Sequence, residues 1–148
     1  MENIEGLGGL LAFVIGWFVA QTGKLIGDLI KNKGSMSFRD VLDCFFRSGG
    51  MPSGHTASFT GLTTFFAAQY GILSPLGVLS LCVTIIVVYD AINVRYAVGE
   101  QGKVINLIAN DHNYKKHKVK VVEGHTIPQV IVGGIVGILL GIITGLAF

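Results

Sequence analysis

Charge is what this sequence has least of. Only 14% of its 148 residues are Asp, Glu, Lys or Arg, against about 25% in soluble domains. Apolar residues make up 51%, and the mean hydropathy is +0.63. Low charge at that apolar content points to a membrane protein. Cysteine is also scarce. Cys44 and Cys82 do not make a disulfide framework, and no Cys/His spacing suggests zinc. Cys82 sits within an apolar run and reads as a small packed hydrophobe. Basic residues are missing from the N-terminal "MENIEGLGG", which carries two acids. A cleaved signal peptide is therefore not expected. The length sets one domain, residues 1–148, as the prior. What the chain does have is glycine, 21 residues of it, mostly inside apolar runs, where transmembrane helices tolerate it.

Four apolar segments stand out. The first runs from about Leu7 to Ile30, and the part before Lys24 is long enough to cross most of a hydrocarbon core of about 30 Å. The second, from about Ser53 to Tyr70, carries several Thr and Ser and suits a helix buried among others. The third runs from Pro75 to about Val98. The fourth, from about Ile127 to Phe148, contains no charge. Two shorter pieces, Met36–Arg47 and Glu100–Asn110, have helical spacing of apolar residues with charges interleaved and read as interfacial helices. The fold expected is an all-α polytopic membrane bundle of about four transmembrane helices and two short interfacial ones. "DHNYKKHKVKVVEG" reads as a polar, basic loop, with His112 and His117 solvated.

Threading four crossings puts all 11 Lys and Arg residues on one side of the membrane, with only Glu2 and Glu5 on the other. The positive-inside rule makes the basic side cytoplasmic and leaves both termini outside. The last crossing repeats glycine at a spacing of four, Gly133, Gly137, Gly141 and Gly145. Such a stripe lets another backbone approach closely, within the chain or in a homodimer.

The same threading gathers ionisable residues at the cytoplasmic rim: Lys24 and Lys31, His55, Asp90 and Arg95, and His125. Each has an ordinary explanation alone: a snorkelling anchor for Lys24, a capping or interfacial role for His55, a structural ion pair for Asp90 and Arg95. Their co-location is what the separate explanations do not predict. Convergent Lys and Arg at low dielectric suit an anion, and phosphate matches the Arg fork. Ser53 and Gly54 open the second crossing, where free backbone N–H groups attract phosphate oxygens. Two His in such a pocket add nucleophilic attack and proton transfer. Phosphoryl transfer requires mostly positioning and charge stabilisation, so neither a metal nor a cofactor is expected.

"GGMPSGHTAS", Gly49–Ser58, resembles the central signature of the type 2 phosphatidic acid phosphatase superfamily. With "YDAINVRYAVGEQGKVIN" and "GHTIPQVIVGGIVG" after it, the order is most similar to the divergent bacterial and plant branch of small membrane proteins. The likeness runs from about Gln21 to the C-terminus. It implies a membrane phosphatase that hydrolyses a lipid or prenyl phosphate monoester or diphosphate through a phosphohistidine. His125 would be the nucleophile and His55 the general acid. Lys24, Arg95, Ser53 and the Gly54 N–H would hold the phosphoryl oxygens, with Lys31 standing where the superfamily has Arg-Pro. Arg95 is separated from His125 by 29 residues, where the superfamily has five, so the basic loop reads as an insertion. Gln129 stands where the family has the acid that orients the nucleophilic His; its carbonyl can accept the same bond but carries no charge. Asp90, Glu100 or Glu123 are the acids available to supply that charge. The implied partners are a membrane lipid substrate and phosphate or vanadate as site ligands, with no nucleic acid, in a bacterial-type plasma membrane. Two rivals stay open: a lipid-phosphate-binding protein with weak or no catalysis, and a scaffold that oligomerises through the glycine stripe.

Overall fold

The computed structural model describes residues 2–31, 36–46, 49–111 and 118–148. The expected solvated His112 and His117 lie outside them, as do Lys33, Arg47, Lys115 and Lys116. The described residues form helices α1 (Glu2–Lys31), α2 (Phe38–Phe46), α3 (Gly54–Tyr70), α4 (Pro75–Tyr89), α5 (Arg95–Asp111) and α6 (Ile127–Ala147). A π-helical turn, Asp90–Val94, joins α4 to α5.

The helices begin where the local chemistry allows. The Ser53 hydroxyl accepts from Thr56 N–H to cap α3, and the Ser74 hydroxyl accepts from Gly77 N–H ahead of Pro75 to cap α4. Both supply an acceptor to an otherwise orphaned first-turn donor. α3 ends at Gly71, whose φ of 86° is a left-handed conformation that glycine adopts without Cβ strain.

α3 is the centre of the bundle and packs against α1, α4 and α6. α1 runs antiparallel to it: Gly9 lies against Leu62 and Phe66, Gly16 against the Ala57 carbonyl, and Gly23 against Pro52. α6 runs parallel to α3, and the glycine stripe is the seam. A Cβ on Gly133, Gly137 or Gly141 would meet the carbonyl oxygens of Ser53, Ala57 or Gly61 at 2.5–2.6 Å, and one on Gly145 would meet Ala68 Cβ at 3.0 Å. The small-residue face of α6 is thus filled by α3 of the same chain. Inter-helix polar contacts add to the seam: Thr63 and Thr84 hydroxyls at 2.8 Å, Thr84 donating to the Phe59 carbonyl, and Gln69 Nε2 to the Gly145 carbonyl.

Large apolar side chains point the other way. Leu10, Phe18, Leu79, Ile85, Ile86, Ile131, Leu139 and Ile143 are all exposed, while the buried core is built from Ala12, Ala20, Ala57 and Phe65 among others. An apolar coat of this extent fits lipid, not water. Three helical stretches are long and apolar enough to cross a membrane: Gly6–Lys31, Pro75–Asp111 and Ile127–Ala147. α3, at 17 residues, is shorter and lies enclosed among them, as its Thr and Ser content suggested.

One expectation is corrected. Glu100–Asn110 is not a separate interfacial helix, because α4, the π turn and α5 are continuous from Pro75 to Asp111. No proline interrupts the run, and Gly99 packs against the Val122 carbonyl instead of ending the helix. At 1.5 Å per residue these 37 residues span roughly 55 Å. That exceeds the hydrocarbon core, so α5 extends beyond it at the end where α3 and α6 begin.

Candidate active site

Several elements converge at the end of the bundle where α3 and α6 begin. On α1, Trp17, Gln21 and Lys24 are spaced so that one face carries all three. Phe46 of α2, Gly54 and His55 of α3, and His125 just ahead of α6 complete the lining of a cavity of about 120 Å³. Lys24 is 7% exposed and His125 only 4%, whereas His55 is exposed. The loop before α3 turns through Gly49 and Gly50, at φ of 87° and 77°, conformations open to glycine. That turn brings Gly50 against the Lys24 stem.

His125 arrives by a route the chain order hides. α5 runs outward, and residues 118–126 run back along it. Asn106 bonds Val119 through both its amide groups. Gly102 lies against Val121, and Gly99 against the Val122 carbonyl. Gly124 sits so close that a Cβ there would lie 2.3 Å from Tyr96 N and 2.9 Å from the Arg95 carbonyl carbon. His125 N–H then donates to the Ala91 carbonyl at 3.0 Å. Ala91 belongs to the π turn, where the regular helical hydrogen-bond pattern is broken, a feature frequent at functional sites. The described part of the intervening chain, residues 96–111 and 118–124, therefore runs out and back and returns His125 to the Arg95 region.

The imidazole of His125 is held by Gln129. Nδ1 lies 3.1 Å from Gln129 Oε1, and the same oxygen accepts Thr126 N–H at 3.1 Å. The Gln129 main-chain carbonyl accepts Ser53 N–H at 3.0 Å, which ties the first turn of α6 to the start of α3. Because Oε1 accepts from Thr126, the amide orientation is set, and it fixes His125 Nδ1 as a donor. In the neutral ring this tautomer puts the lone pair on Nε2. Burial pushes His125 below its ordinary value, and Lys24 and His55 push it further down, while the Gln129 bond and a contact with the Gly50 backbone oppose this. The ring is thus favoured in its neutral, nucleophilic form.

The other expected residues divide. Lys24, Gly54, His55 and His125 line the one cavity. Ser53 is fully buried, with its hydroxyl accepting from both the Thr56 N–H and hydroxyl; as placed, it sets the helix start. Arg95 Nε pairs with Asp90 Oδ2 at 2.5 Å, and both act electrostatically on His55. Lys31 is exposed at the end of α1, roughly 10 Å along the axis from Lys24, and does not line the cavity. Glu100 pairs with Lys103 at 2.7 Å. Glu100 and Glu123 line a separate polar pocket with Tyr96, Gly124 and Gln129, so Gln129 reaches the histidine cavity only through its contact with His125.

Gln21 is a lining residue that sequence reasoning passed over. It is 5% exposed, its Nε2 donates to the Phe45 carbonyl, and its Oε1 has no partner among the described residues. The available signal was an amide one turn before Lys24 inside an apolar helix, where polar groups are costly.

The chain is 35% identical over 116 residues to the uncharacterised membrane protein YuiD of Bacillus subtilis (strain 168), covering 68% of this chain and 73% of that protein. No solved structure matches it. A model of the family described as "Divergent PAP2 family" matches residues 8–140, a span that takes in His55, His125, Lys24, Arg95 and the first part of the α3–α6 seam. This integral membrane helix bundle therefore belongs to the divergent PAP2 family.

Proposed function

We propose that this protein is a membrane phosphatase that hydrolyses a lipid phosphate through a phosphohistidine on His125. The observation that carries this reading is the single cavity lined by two imidazoles and a buried lysine, with the His125 ring oriented by Gln129 through Nδ1. In the first step Nε2 bonds to phosphorus, the P–O bond to the lipid breaks, and His55 as imidazolium protonates the leaving alcohol oxygen. In the second, a water oxygen bonds to phosphorus, His55 takes the water proton, and the P–N bond breaks to release phosphate. Lys24, the Arg95 guanidinium and the backbone N–H groups of the first turn of α3 stabilise the phosphoryl oxygens, as preorganised donors do. Ser53 contributes by fixing that turn, and Lys31 adds positive potential outside the cavity. Phosphate and vanadate are the simple ligands for the same donors.

The membrane orientation in this reading is cytoplasmic for the site end and external for both termini, because the cations fall on one side. A second reading, binding without turnover, draws on one specific feature: the partner of His125 is a neutral amide. The two separate on whether a covalent intermediate forms. Purified protein in detergent, mixed with a radiolabelled lipid phosphate and quenched in alkali within milliseconds to seconds, is expected to carry alkali-stable, acid-labile label. His125→Ala should carry none. Absence of label in both, with phosphate still released, would exclude the phosphohistidine step.

A further inference from the structure

A second cavity, of about 380 Å³, adjoins the first. It is lined by Phe13, Val14 and Trp17 of α1 and by His55 and Ser58 of α3. Trp17 and His55 border both cavities. Because α1 and α3 are antiparallel, the slot leads from His55 along their seam, away from the end where the polar cavity lies. Its walls are held in place. Phe13 meets Phe59 edge-on at 5.1 Å, Trp17 meets Phe45 edge-on at 5.3 Å, and Gly16 packs tightly on the Ala57 backbone. Val14, on its rim, is exposed.

Ser58 is the odd member of this apolar lining. It is 1% exposed, and its hydroxyl has no hydrogen-bond partner among the described residues. A helical Ser ordinarily bonds a carbonyl of the preceding turn; this one does not. Leaving a buried hydroxyl unsatisfied is costly, and a ligand group that bonds it offsets that cost. Ser58 lies three residues beyond His55, roughly 4.5 Å along the helix. That is about one functional group away from a phosphate ester held at His55.

We infer that the α1–α3 slot seats one hydrocarbon chain of the phosphorylated substrate, with the Ser58 hydroxyl bonding an oxygen carried beside the phosphate ester. An acylglycerol phosphate has such an oxygen, and a prenyl phosphate has none. The inference rests on the phosphate reading of the adjoining cavity but not on turnover. One bond of this kind corresponds to roughly five- to tenfold in affinity.

Trp17 is the single tryptophan of the chain, so its fluorescence reports on the junction of the two cavities. The probe is a monoacylglycerol phosphate brominated on its acyl chain, titrated into the detergent-solubilised protein. Quenching should saturate and be reversed by the unbrominated lipid. A brominated monoacylglycerol without phosphate should give only linear, bulk quenching. Farnesyl phosphate should displace the probe about fivefold less well than an acylglycerol phosphate of similar length. Ser58→Ala, which removes an unpaired group and leaves the packing intact, should erase that preference, and Val14→Phe should weaken probe binding severalfold. Linear quenching by the phosphate-bearing probe would overturn the inference, as would equal competition by farnesyl phosphate in the unaltered protein. Linear quenching alongside phosphate release from lipid phosphates would remove the slot and keep the phosphatase. Saturable quenching without release would keep the slot and remove the phosphatase.

Discussion

Gly124→Ala is expected to lower phosphate release by roughly 100-fold while the helix bundle stays folded. The added methyl would lie 2.3 Å from Tyr96 N and 2.5 Å from Tyr96 Cα. Both are backbone atoms of a continuous helix and cannot rotate away, so the returning segment must lift off α5. The His125 N–H bond to the Ala91 carbonyl is the next link, and the imidazole moves with it. A misplacement of about 1 Å at a reacting group is enough for that loss of rate. The seams of α1, α4 and α6 with α3 use none of these atoms, so thermal unfolding in detergent should change little. Full activity in Gly124→Ala would show that the contact with the Arg95–Tyr96 backbone does not position His125.

Gln129→Glu is expected to act in the opposite direction and raise turnover by about tenfold or more. The amide already occupies the position of an orienting acid, with Oε1 accepting from His125 and from Thr126 N–H. A carboxylate keeps both bonds and adds negative charge beside a ring that becomes cationic when it carries the phosphoryl group. The first turn of α6 also favours an acid. In serine proteases the reverse exchange, acid to amide, costs about 10⁴ in turnover. The expectation here is smaller because Gln129 already holds the ring. Steady-state kinetics on a lipid phosphate check it, and the gain should lie in kcat more than in KM. A lower kcat in Gln129→Glu would mean that the neutral amide is the partner this site requires.

Much of this arrangement was legible in the residues themselves, for identifiable reasons. The placement of every Lys and Arg on one side of the threaded crossings brought Lys24, His55, Arg95 and His125 to one level, and the glycine period of α6 announced a close helix contact. Both are simple periodic signals. What stayed hidden depends on tertiary contacts. The third crossing and the interfacial helix read as separate segments either side of Gly99, yet Gly99 lies within one continuous helix and serves as a flat surface for the returning chain. The wide gap between Arg95 and His125 looked like an insertion into a motif, and only the antiparallel run of residues 118–126 along α5 closes it. Ser53 has the chemistry of a phosphate ligand and of a helix cap, and its placement favours the cap. Gln21 and Ser58 are polar residues in apolar runs, and no pattern marks which of many such residues ends up buried without a partner.

The most direct measurement is phosphate release from a lipid phosphate by purified protein in detergent, compared with His125→Ala at equal protein concentration. The unaltered protein should release phosphate catalytically and be inhibited by vanadate, and His125→Ala should fall to background. Equal rates for the two proteins would contradict a nucleophilic His125 and, with it, the assignment of this cavity as a phosphatase site.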